Sequence, residues 1–168
     1  MTSSSACPGC GAVFPDLDGP THPYMESSPA CWAAFCEVLA REYSTPELFK
    51  IHRLSVDAYA VQHPGKPSRQ TVQSVMLHLL RLLLQLERGL PPERANDAML
   101  ALADHKAKFR WLEPPPSLGS VTVADVVPCV EVEAHAAAVQ AWATSALAAW
   151  SPHRPTLEEW LERLGRSG

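Results

Sequence analysis

The chain has 168 residues, of which 46% are hydrophobic, and this is enough for one domain with a sizeable core. Its 14 basic and 18 acidic residues give a net charge of −4, which argues against binding to nucleic acid or to an anionic membrane. The apolar run over 76–86 is too short and too polar to cross a bilayer, and the N-terminus lacks a signal-peptide pattern. We therefore expect a single cytoplasmic domain over 1–168, whose five cysteines stay reduced.

Residues 1–27 are rich in proline and glycine and have no helical or strand periodicity, so we predict an irregular segment packed on the rest of the domain. Within it, Cys7-Pro8-Gly9-Cys10 has the CxxC spacing that lets two thiolates bind one tetrahedral ion, as in zinc ribbons. This pair is half of a site. The nearest downstream candidates for the other half are His22 and Cys31.

Ser28-Pro29 is typical of a helix N-cap and first turn, and it predicts a helix over about 29–43. Cys36 and Tyr43 fall on the predicted apolar face, whereas Cys31 lies off that face in the first turn, where the helix dipole favours a thiolate. We therefore predict a Cys3His structural zinc site whose ligands are Cys7, Cys10, His22 and Cys31. Such a site would hold the N-terminal segment in place, while the alternative is a set of free thiols.

Thr45-Pro46 predicts the start of a central helix, and Pro64-Gly65 must end it, because proline disfavours a helical residue before it. At about 100° per residue, His52, Tyr59 and His63 fall into one stripe beside the apolar face. A histidine at this border suits a metal ligand or a proton-transfer group. It suits equally a histidine that only donates a hydrogen bond.

Further helices are predicted over about 68–88, 91–111, 122–128, 128–150 and 156–164. Thr122-x-x-Asp125 is a predicted capping box at the start of the helix over 122–128. The helix over 68–88 is apolar nearly all round and should be central, and His78 on its edge is placed to face His52 and His63. No phosphate-binding glycine loop, nucleophile elbow or alternating strand pattern occurs in the sequence. The predicted fold is all-α, a bundle of five or six helices with an irregular N-terminal zinc-knuckle segment.

Five motifs, CPGCGA, HPYMESSPACW, HRLSVDAYAVQHPG, VTVADV and AWSPH, carry a family resemblance. Through them the chain resembles, over most of its length, an uncharacterised bacterial family of small helical proteins with a domain of unknown function. The motifs fall on Cys7, Cys10, His22, Cys31, His52, Asp57, His63 and His153. In a regular helix Asp57 faces away from His52 and His63, so we expect it in a cap, a salt bridge or an interface.

A looser similarity, in size and helix content only, is to helical-bundle metalloproteins of the damage-inducible superfamily, which includes thiol-dependent transferases. The HxxxH pair typical of that superfamily is absent here, because Val139 stands four residues after His135. The similarity is therefore an analogy.

Two functions fit these patterns. The first is a non-enzymatic zinc-binding protein that acts through an unknown protein or small-molecule partner. The second is a metal-dependent enzyme, a hydrolase or thiol-dependent transferase, with a histidine-lined site inside the bundle. Its candidate catalytic residues are His52, Tyr59, His63 and His78, with His135 and Glu131 as further ligands. A metal-free site with His52 or His63 as general base is a variant of the second function, and a transcription-associated module is disfavoured by the acidic balance.

Overall fold

The computed structural model describes residues 3–166, and its core is built from helices. The helices are α1 Pro29–Ser44, α2 His52–Gln62, α3 Arg69–Leu86, α4 Pro92–Ala101, α5 Val123–Val126, α6 Val132–Ala149 and α7 Arg154–Arg166. Short 3-10 turns lie at Pro46–Leu48, Ala103–Lys108 and Ser151–His153. The predicted all-α bundle is confirmed. None of the helices in the described part of the chain is long and apolar enough to cross a membrane.

Helix α2 lies at the centre of the bundle. It packs against α3 on one side and α6 on the other, and every residue from 57 to 64 is buried. Helix α3 contacts α2, α4, α6 and α7, in agreement with its predicted central position. A short helix enclosed in this way must satisfy its polar side chains internally, since water does not reach them.

The helix boundaries follow local signals in the sequence. Ser28 and Ser68 cap α1 and α3, and Thr122 caps α5 in the predicted capping box with Asp125. Helix α5 ends at Val126, close to Pro128, and α6 begins anew at Val132. Helix α2 begins at His52 rather than at Pro46, because residues 46–48 form a 3-10 turn.

The N-terminal segment contains one regular feature that the sequence did not predict. Strands β1 (Ser4–Ala6) and β2 (Val13–Pro15) pair antiparallel, and residues 7–12 form the loop between them. Strands of three residues are too short to show alternation in the sequence. An isolated hairpin of this size is not stable in water, so something else must hold it on the bundle.

A candidate metal centre at the end of helix α2

Four side chains from three parts of the chain meet at one point, and they are Cys7, Cys10, Cys31 and His63. Their ligand atoms all lie within 4.8 Å of one another. His63 Nε2 is 3.5 Å from the Sγ atoms of both Cys7 and Cys31, and Cys10 Sγ is 3.8 Å from Cys31 Sγ. The thiols are free, since the last distance far exceeds the roughly 2.05 Å of a disulfide. The cluster thus joins the hairpin loop, the first turn of α1 and the end of α2.

The backbone sets the tautomer of His63. Its Nδ1 donates a hydrogen bond to the carbonyl oxygen of Tyr59 at 2.7 Å. Because a carbonyl can only accept, Nδ1 carries the hydrogen and Nε2 presents a lone pair to the sulfur atoms. The imidazole also stacks on the Tyr59 ring, with centroids 3.9 Å apart, and it is only 1% exposed. This is the arrangement that a metal-binding histidine requires.

Two glycines shape the loop that carries the first two cysteines. Gly11 has φ +77°, a left-handed conformation that glycine adopts without strain. A Cβ atom on Gly9 would lie 2.5 Å from the carbonyl oxygen of Glu26 and would clash with the ring of His63. The CPGCG sequence is therefore needed both for the turn and for its close approach to α2.

Helix α1 places Cys31. The Ser28 side chain accepts a hydrogen bond from the Cys31 backbone N–H at 3.2 Å and so caps the helix. The Ser28 N–H in turn lies 3.5 Å from Cys7 Sγ, to which it donates. These contacts put Cys31 in the first turn, as predicted, where the helix dipole and nearby N–H groups favour thiolates.

The three thiols compete for negative charge. The thiols of Cys10 and Cys31 donate to Cys7 and hold the pKa of Cys7 far below its usual range. Contact with Cys10 and Cys7, together with burial, holds the pKa of Cys31 far above its usual range. Although Cys31 donates to Cys10, the charge of Cys7 and burial raise the pKa of Cys10 to about 11. A divalent cation would stabilise the negative charge and let all three thiols ionise.

The cluster fits a tetrahedral zinc ion. Zinc bound at about 2.3 Å to sulfur and about 2.0 Å to nitrogen requires sulfur–sulfur edges of about 3.8 Å and sulfur–nitrogen edges of about 3.5 Å. The two sulfur–nitrogen distances and the one sulfur–sulfur distance given above match these edges, and the other three distances between ligand atoms are at most 4.8 Å. Thiolate and imidazole are also the ligand types that structural zinc sites use.

A family model matches most of the chain. The family is described as a family of unknown function (DUF5946), and its model matches residues 5–151. The chain belongs to this family. No curated protein and no solved structure matches it. The matched range includes the four residues of the Cys3His cluster, so this cluster lies within the DUF5946 domain.

The structure of this DUF5946 protein brings His63, and not the predicted His22, to the cysteines. His22 Nδ1 accepts hydrogen bonds from the N–H groups of Tyr24 and Met25 at 3.4 and 3.3 Å. Its ring packs edge-on against Trp32. His22 lies between Cys10 and Cys31 in the sequence, but its local turn directs Nδ1 at the neighbouring backbone N–H groups. The end of α2 instead places His63 beside the sulfur atoms.

The structure does not bring His52, His63 and His78 together. His52 pairs with Glu42, His63 joins the cysteines, and His78 pairs with Asp57. The Cys3His cluster is the only group of three or more potential metal ligands found among the described residues. The hydroxyl of Tyr59 is buried without a hydrogen-bond partner within residues 3–166, and burial raises the pKa of Tyr59 above its usual range.

Two buried carboxylates in the DUF5946 domain were not predicted as site residues. Glu42 accepts hydrogen bonds from His52, Ser55 and His135, and Asp57 forms an ion pair with Arg81. The ion pair is one of the roles expected for Asp57. The sequence feature that could have identified Glu42 as buried is its place on the buried face of α1, which consists of Cys31, Phe35, Val38 and Glu42.

That face is shifted by one residue from the predicted one. Cys36 and Tyr43 were placed in the core by the sequence pattern but are exposed, and Cys31 is fully buried. The predicted apolar face was centred on the large aromatic residues of α1. Positions 31, 35, 38 and 42 have the spacing of one helix face, but the last of them is a glutamate, so the hydrophobic pattern did not identify this face as buried.

Proposed function

We propose that the protein binds one zinc ion through Cys7, Cys10, Cys31 and His63, and that this ion is structural. The observation that carries the proposal is the complete set of four ligand atoms within 4.8 Å of one another. Structural zinc sites have four protein ligands, whereas catalytic sites keep one position for water or substrate. A four-ligand set leaves no such position.

The location of the cluster supports a structural role. Cys7, Cys31 and His63 are 3%, 0% and 1% exposed, so a substrate cannot approach the ion from their side. The cluster also ties the β1–β2 hairpin, too small to be stable alone, to α1 and to the buried end of α2. Zinc would supply the cross-link that the small apolar surface of the N-terminal segment does not.

Zinc is the metal that best fits three thiolates and one imidazole in a buried four-coordinate site. Three thiolate ligands need a compartment that keeps thiols reduced, which supports a cytoplasmic location. The proposed biochemical role is that of a metal-stabilised module that acts through contacts with a protein or a small molecule.

Elemental analysis of the purified chain tests the proposal. We expect about one zinc per chain in the natural protein and almost none in Cys31→Ala or His63→Gln, because each substitution removes one of four ligands. Cys36→Ala is the matched control on the same helix, and His22→Gln is the control for the histidine. Both controls should retain zinc. Zinc retained in Cys31→Ala, or no metal in the natural protein, would overturn the proposal.

A further inference from the structure

The carboxylate of Glu42 lies at the meeting point of three helices and is fully buried. It accepts hydrogen bonds from His52 Nδ1 at 3.0 Å, from His135 Nε2 at 3.0 Å, and from the Ser55 hydroxyl. His135 Nδ1 lies 3.1 Å from both the Arg41 guanidinium and the carbonyl oxygen of Cys129, and Nε2 donates to Glu42. Every hydrogen bond to Glu42 is therefore compatible with an ionised carboxylate, which can only accept.

A second buried carboxylate–histidine pair lies on the other side of α2 and differs in charge. Asp57 accepts from His78 Nδ1 at 2.7 Å, but it also pairs with the guanidinium of Arg81 at 2.8 and 3.0 Å. Among the described residues no arginine or lysine forms an ion pair with Glu42. The charge of Asp57 is thus neutralised by Arg81, whereas the charge of Glu42 interacts with His52 and His135.

The pairing with Glu42 leaves the other nitrogen of His52 available. Since Nδ1 donates to the carboxylate, Nε2 carries the lone pair, and it has no hydrogen-bond partner within the described range. His52 lines a cavity of about 440 Å3 between α2 and α4, a volume within the usual range for small-molecule sites. Tyr43 and Phe49 flank the imidazole and are 63% and 60% exposed, which is unusual for large aromatic side chains.

The other groups in the cavity limit the chemistry that it can support. Lys50 and Arg53 line it and have no acidic ion-pair partner in the described structure, so they can stabilise an oxygen that becomes negative. Among residues 3–166, no serine, threonine or cysteine lines this cavity, and Glu93 and Asp97 form its α4 side. A base and cations without a protein nucleophile suit attack by water on a carbonyl carbon.

We propose that His52, Glu42 and this cavity form a site for the hydrolysis of small polar esters, with His52 as the catalytic general base and Glu42 as its positioning residue. His52 Nε2 takes a proton from water as the water oxygen bonds to the carbonyl carbon. The carbonyl oxygen becomes negative beside Lys50 and Arg53. As the bond to the leaving oxygen breaks, the imidazolium returns the proton to that oxygen, and the products are an acid and an alcohol.

Hydrolysis of ethyl dichloroacetate by the zinc-containing full chain, followed as acid release, tests this site. Ethoxide is a poorer leaving group than imidazole, so direct attack by the histidine reverts and only base-assisted attack by water gives product. We expect His52→Gln to lower the protein-dependent rate by at least about a hundredfold, the lower end of the usual contribution of a general base. Gln retains a donor for Glu42, and zinc content and thermal unfolding report whether the variant is folded.

His78→Gln is the matched control, because it changes the histidine of the charge-neutralised pair, and its rate should stay close to that of the natural protein. Glu42→Gln tests the positioning role through the pH–rate profile. On the high-pH plateau every imidazole is neutral, so a purely structural change that leaves His52 in place should have no effect on the rate. If Glu42 positions His52, the rate of Glu42→Gln should be lower even on this plateau. A rate equal to that of free imidazole at the same concentration, or equal rates for the natural protein and His52→Gln, would overturn the proposal.

Discussion

The two ends of α2 present histidines in opposite chemical settings. At its C-terminal end, His63 donates from Nδ1 to a backbone carbonyl and directs Nε2 at three sulfur atoms. At its N-terminal end, His52 donates from Nδ1 to the Glu42 carboxylate and lines a cavity. The partner of Nδ1 is the difference: it is a neutral backbone carbonyl at His63 and a carboxylate at His52. Residue type alone does not decide the role of a histidine.

The largest expected effect comes from removal of the metal, which should separate the two ends. With a strong chelator, amides of the hairpin over 4–15 should lose their protection from hydrogen exchange, because β1 and β2 are too short to persist alone. Amides around His135, which is fully buried in α6 and donates to Glu42 beside the N-terminal end of α2, should remain protected. Hydrogen exchange with mass spectrometry measures both. Equal loss of protection in the two regions would show that the ends of α2 do not behave independently.

A change at Asp57, the buried carboxylate in the middle of α2, should destabilise the fold without releasing zinc. Asp57→Asn removes the charge that pairs with buried Arg81 and should lower the free energy of unfolding by about 3–5 kcal/mol, since a buried charge is left unpaired. Urea denaturation measures the change, and elemental analysis should still find zinc. The control is Glu87→Gln in the Glu87–Arg154 pair, which is about 40% exposed and should cost about 0–1 kcal/mol. Loss of zinc in Asp57→Asn would break the comparison.

Zinc binding should depend steeply on pH. The pKa of Cys10 is raised to about 11 and that of Cys31 is raised further, while that of Cys7 lies far below its usual range. At pH 8 the two protonated thiols must lose their protons on binding, so we expect about two protons released and an affinity that rises about a hundredfold per pH unit. Calorimetry in buffers of different ionisation enthalpy counts the protons. No release would contradict ligation by thiolates.

A smaller effect is expected from Gly9→Ala, which adds a methyl group where the hairpin loop meets α2. The Cβ atom would overlap the His63 ring and the Glu26 carbonyl, so we expect a loss of about 1–3 kcal/mol in unfolding free energy and a weaker zinc affinity. Gly19→Ala is the control in the same segment, because its Cβ would make only ordinary contact with Pro29 at 3.9 Å. Thermal unfolding and competition with a chromogenic chelator measure the two effects. Equal behaviour of both variants would show that the loop can move away from His63.

Much of the fold follows from local signals. The cap at Ser28, the capping box at Thr122, and the proline that ends α2 act over a few residues, and each was located from the sequence. The buried face of α1 was missed by one residue, because exposed aromatic side chains carry the same hydrophobic signal as buried ones. The β1–β2 pair was missed because three residues per strand carry no usable pattern.

The sequence by itself determined three members of the Cys3His cluster, Cys7, Cys10 and Cys31, because CxxC spacing and a helix first turn are local geometry. Only the tertiary structure decided that the fourth member is His63. A helical wheel gives the direction of a side chain about its own axis, but not the element that this direction faces. The same reason separates His52, His63 and His78, which share a predicted surface but meet Glu42, three sulfur atoms and Asp57. Packing against α1, α3 and the hairpin selects these partners, and the partners set the chemistry.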